Sequence, residues 1–124
     1  MPEPLQQSLA GLAQLIDARL PTGTALGNWR WTVRQRLAVI RDGLATETSN
    51  ARDGWLVARE GSVLRERSAL MTRLAALGPA VLESADLAGL RTELKRTIND
   101  VNHHLQRLRD LAYDEVELEL GGSE

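Results

Sequence analysis

The residues best placed to do chemistry are two histidines and the carboxylate that precedes them. Asp100 and His103 stand three apart, and His104 follows directly. On a helix this spacing puts Asp100 and His103 on one face, the arrangement by which an acid-x-x-His pair offers two ligands to one metal ion. A di-metal carboxylate centre needs two such pairs and further carboxylates. This chain has one pair, and with two histidines in all it cannot build a site from several imidazoles. There is no cysteine, which removes thiolate metal sites and disulfides together. The expectation is no metal and no cofactor. On the heptad of their segment, Asp100 and His103 fall on the outer face and His104 flanks the seam, so all three are expected at the surface or its boundary.

Nucleophilic catalysis has no better footing. Ser62, Ser68 and Ser84 do not sit in a strand-turn-helix elbow, and Gly23, Gly27, Gly61 and Gly89 do not form a phosphate-cradling pattern. The carboxylates that cluster are those of the C-terminal end: Asp110, Asp114, Glu115, Glu117, Glu119 and Glu124, with no base among residues 110–124. Such a run reads as a solvated acidic end, and the chain is expected not to be an enzyme.

Tryptophan and arginine carry more information. Trp29 lies on an apolar stripe and is expected in the core. Trp31 stands about 200° further round the same helix, among Arg30, Arg34, Arg36 and Arg41 on the polar side. Trp55 is off the main stripe of its own segment as well. Either a bundle with helices on two sides buries both, or they serve a partner, since tryptophan is concentrated at the centres of interfaces. The candidate partner-binding residues are therefore Trp31, Arg30, Arg34 and Trp55, together with Val116, Leu118 and Leu120, which interleave the acidic end. Residues 28–75 hold nine arginines against five acids, so opposite charge is separated along the chain.

The formal net charge of −2 disfavours a general nucleic-acid binder. The arginine face of the second segment keeps that reading as the alternative, and a helix-turn-helix can be drawn around residues 20–28. Arginine outnumbers lysine fourteen to one, which reflects either a need for bidentate contacts or a GC-rich, bacterial coding bias. No window approaches the ~18 uncharged apolar residues of a membrane helix. The start, Met1-Pro2-Glu3-Pro4, lacks the pattern of a signal peptide, so a cytoplasmic protein is expected.

The elements that must position these residues are helical throughout. At 124 residues and 43% hydrophobic, with leucine and alanine dominant and no phenylalanine, the chain suits one helical core. Leu5, Leu9, Leu12, Ile16 and Leu20 step by three and four, predicting a helix over about 5–20 that Pro21 and Gly23 end. Leu26, Trp29, Val33, Leu37, Ile40 and Leu44 predict a second over about 24–47. Val63/Leu64, Leu70/Met71, Leu74 and Leu77, with Leu56/Val57 before them, predict a third over about 50–77, closed by Gly78-Pro79. Glu60 and Arg67 interrupt that stripe; each either meets an opposite charge on a neighbouring helix or sits where the stripe is partly exposed. Leu94, Ile98, Val101, Leu105, Leu108 and Ala112 form a heptad seam over about 86–118, with Ser84 or Asp86 as its cap and Gly121-Gly122 as a frayed end.

The junction at 45–53 reads two ways, as a hairpin near Thr48-Ser49-Asn50 or as one helix from about 26 to 77. The stripes on its two sides lie almost opposite in phase, and a single helix would span roughly 75 Å, so the hairpin is favoured. The expected fold is one all-α domain over 1–124, an antiparallel bundle of three long helices with a shorter N-terminal helix. The expected function is a non-catalytic protein-interaction module, an adaptor, regulator or accessory subunit of a larger bacterial system that binds another protein or a second copy of itself.

Overall fold

The computed structural model describes the backbone of residues 3–50 and 61–122, and side chains over 5–46 and 61–110. Four helices and no strand occur among the described residues: α1 (Glu3–Asp17), α2 (Thr24–Asn50), α3 (Gly61–Glu83) and α4 (Leu87–Gly122). The all-α bundle follows from the four stripes. Leu5, Leu9, Leu12 and Ile16 of α1, Trp29, Val33, Leu37, Ile40 and Leu44 of α2, Leu70, Leu74 and Leu77 of α3, and Leu94, Ile98, Val101 and Leu105 of α4 close on one core. Burying one apolar face of each helix supplies the drive that short helices lack in isolation.

α1 and α3 each pack on both α2 and α4. The contacts run in opposite senses along each pair. Trp29 near the start of α2 meets Leu15 near the end of α1, whereas Gly43 near the end of α2 lies against Leu5. A Cβ at Gly43 would fall 2.8 Å from Leu5 Cδ1, so glycine lets the two helices close there. Along α3 and α4, Arg73 meets Thr97 and Asp100, and Glu66, seven residues back, meets His104 and Arg107, seven residues on. Arg30 at the start of α2 reaches Val81 at the end of α3. That last bond excludes a single straight helix from 26 to 77, and the hairpin reading stands for this junction.

Several boundaries move. α1 stops at Asp17 rather than Leu20, because side chains of other helices cap its C-terminal carbonyls: Trp29 Nε1 donates to Leu15 O (3.1 Å), Arg91 Nε to Ile16 O (2.7 Å), and Arg91 Nη2 to Asp17 O and Ala18 O (3.0 and 3.1 Å). Helix ends leave four carbonyls without intrahelical partners, and here the bundle itself supplies them. The chain then turns through Gly23 at φ 63°.

α2 continues through Asn50, so the turn does not fall at Thr48-Ser49-Asn50. The first described residue of α3 is Gly61; Leu56, Val57 and Glu60 lie outside the described residues. Gly78-Pro79 does not close α3, which runs to Glu83 with Pro79 inside it. Proline costs a helix a hydrogen bond and a steric clash, but Val81 beyond it is fully buried in the core, and Arg30 Nη1 donates to its carbonyl (2.8 Å). Arg67 is 4% exposed, which excludes the exposed alternative for that rung.

At the start of α4, Asp86 is the cap: its Oδ1 accepts the Gly89 N–H at 2.9 Å, while Ser84 Oγ accepts the Asp86 N–H at 3.2 Å. α4 runs on to Gly122, so Gly121 and Gly122 belong to the helix rather than to a frayed end, while Ser123 and Glu124 lie outside the described residues.

Candidate partner-binding surface

The α2 stripe from Trp29 to Leu44 is buried, and this fixes where the rest of α2 points. With Trp29, Val33, Leu37, Ile40 and Leu44 facing inward, Trp31 turns to solvent and is 58% exposed. The reading in which helices on two sides bury Trp31 is thereby overturned. Trp55 lies outside the described residues. Val116, Leu118 and Leu120 fall in the helical backbone of α4, but their side chains are outside the described residues.

The arginines named with Trp31 divide. Arg30 is half-buried and caps α3 through Val81 O. Arg34 follows by four residues and Arg41 by eleven, so both lie on the same, α3-facing side of α2. Both are exposed and have no ion-pair partner among the described residues. Two further apolar side chains that periodicity did not single out are exposed, Val39 (51%) and Leu82 (41%), Val39 on the side of α2 turned away from α3. Val39 was findable as a β-branched residue off the stripe. Leu82 was not, because the third helix was expected to end before it. Since Arg30 bonds to Val81 O, their successors Trp31 and Leu82 stand at one level of the bundle along the α2–α3 seam.

A second polar constellation lies between α3 and α4, where a groove of about 540 Å³ is lined by Glu66, Arg73, Asp100, His103 and Arg107, among others. Asp100 does not reach toward a metal: its Oδ2 accepts from Arg73 Nη1 at 2.8 Å, and Arg73 Nη2 also donates to Thr97 Oγ1 at 3.0 Å. His103 is exposed at the groove, as expected. His104 is not a surface or boundary residue. It is fully buried, and its Nδ1 lies 2.7 Å from Glu66 Oε1, while Glu66 Oε2 accepts from Arg107 Nη1 at 2.8 Å. A carboxylate only accepts, so Nδ1 carries the hydrogen and donates it. The imidazole is drawn inside because Glu66 waits on α3 to receive it, information that the sequence of α4 alone does not contain.

No group of three His, Asp or Glu side chains among the described residues converges on a point that would hold a metal. The ionic groups of the groove pair with one another, so it forms a polar clasp between α3 and α4. No described helix is long and apolar enough to cross a membrane. The α1–α2 pair touches at both ends, from Leu15–Trp29 to Leu5–Gly43, whereas a DNA-reading helix-turn-helix holds its helices at about 90–120°. Comparison of the chain with protein-family models, curated proteins and solved structures finds no match.

Proposed function

We propose that this chain is a non-catalytic helical interaction module, an adaptor, regulator or accessory subunit within a larger system of a bacterial cytosol, and that it binds protein through the Trp31 face. The observation that carries the reading is the exposure of Trp31 on a helix whose apolar stripe from Trp29 to Leu44 is buried in the core. A solvated tryptophan contributes nothing to this core, while on docking it offers a large apolar area with little side-chain entropy to lose. Leu82 extends the apolar surface, and Arg34 and Arg41, without an ion-pair partner among the described residues, rim it with positive charge. Exposed ion pairs contribute at most about 1 kcal/mol each, so the arginines steer and orient while tryptophan and leucine burial hold the complex. Aliphatic Leu82 favours a polypeptide over a nucleic acid on this face, as does the net charge of −2.

The test is capture from the native host with wild type and Trp31→Ala as baits. The expected result is a protein retained by wild type, with affinity lower by about 2 kcal/mol or more for the variant. Retention indifferent to Trp31→Ala, or salt-dependent binding of wild type to duplex DNA in place of protein, would overturn the reading.

A further inference from the structure

The Trp31 face asks for a partner that is acidic and carries apolar side chains, and one stretch of this chain has that composition. Residues 110–124 hold six acids and no base, interleaved with Val116, Leu118 and Leu120, on a backbone that stays helical to Gly122. Within one molecule the two cannot meet. The register of α3 and α4, set by Arg73 with Thr97 and Asp100 and by Glu66 with His104 and Arg107, puts Gly61 opposite about residue 110. The Arg30–Val81 bond sets Gly61 level with Asn50 in the same way. α4 therefore runs on past the described ends of α2 and α3 by about ten residues, an arm of roughly 15 Å at 1.5 Å per residue. Trp31 lies nineteen residues back from Asn50, roughly 28 Å away, and the arm points away from it.

We infer that the arm of one copy docks on the Trp31–Leu82 face of a second copy, head to tail. This rests on the reading of the Trp31 face given above and names its partner. A shift of roughly 40 Å along the bundle axis, with a sideways step of about two helix diameters, brings the arm beside the start of α2 and the end of α3. α2 is 27 residues long, roughly 40 Å, so after that shift the described helices of the two bodies meet end to end without overlap. The arm then spans the level of Trp31, which sits roughly 10 Å in from Thr24. Arg34, which has no ion-pair partner among the described residues, gains the acids of the arm. Arg73, Arg96 and Arg107, by contrast, are already paired at home. The contact joins two different surfaces, so it leaves a free face and a free arm at its two ends and propagates.

The experiment uses two variants with complementary lesions, measured by size-exclusion chromatography with light scattering. Trp31→Ala keeps the arm and loses the face; a chain truncated after Asp110 keeps the face and loses the arm. Wild type is expected to grow in mass with concentration beyond a dimer. Each variant alone is expected to be a monomer, and their equimolar mixture to form a one-to-one dimer that grows no further. Glu115→Lys with Glu117→Lys replaces the truncation should that chain not fold, and is expected to act the same way. A truncated chain that still self-associates, or a mixture that stays monomeric, overturns the inference. If wild type is a monomer yet captures a host protein through Trp31, the inference fails and the proposed function stands.

Discussion

His103 and His104 are neighbours in sequence with opposite surroundings. The first is solvent-exposed beside the α3–α4 groove, and the second is sealed inside with Glu66 on Nδ1; its Nε2 has no hydrogen-bond partner among the described residues. His103→Ala should change unfolding stability by less than about 0.5 kcal/mol in urea. His104→Ala should cost about 2–4 kcal/mol, because it opens a cavity and strips Glu66 of a charge-assisted bond. Equal costs at the two sites would show that the buried pair does not form. Arg91 is the other residue whose role periodicity hides. It holds three carbonyls at the end of α1 with one planar fork, which lysine cannot imitate. Arg91→Lys should destabilise by about 1–3 kcal/mol, and wild-type stability in that variant would mean the cap carries no energy. These roles were not legible because a polar residue's partner on another helix leaves no trace in its own helix's spacing.

At the level of elements, the apolar stripes were legible almost to the residue, since a 3.6-residue period is imposed by the helix itself. Every described member of the stripes of α1 and α2 lies in or against the core. Leu105→Ala, in the fully buried seam of α4, should accordingly cost about 2–5 kcal/mol. A cost under about 1 kcal/mol would place that face outside the monomer's core. The ends of the elements were read less well. Gly78-Pro79 is a strong local stop, yet the burial of Val81 and the bond from Arg30 carry α3 past it. Pro79 is exposed and its ring only disturbs the helix, so Pro79→Ala should raise stability by about 1–2 kcal/mol, the helical gain being partly offset by a looser unfolded chain. Destabilisation instead would show that a bend at Pro79 is needed to seat Val81.

Across the whole molecule, the separation of charge was visible in the sequence, but the distance between its two poles was not. Only the register of α2, α3 and α4 shows that Trp31 and the acidic end lie at opposite ends of the bundle. Trp31 was suspected from its phase, and its exposure depends on the absence of a fifth helix against α2 among the described elements, which no spacing within α2 could reveal. Sedimentation velocity of wild type and Trp31→Ala over a range of concentrations, with the unfolding midpoint of each recorded alongside, tests the account most directly. The account predicts a wild type that associates as concentration rises, and a variant that stays monomeric at least tenfold higher in concentration with an unchanged midpoint. A variant that unfolds would place Trp31 in the core, and one that associates as wild type does would show that self-association does not use the Trp31 face.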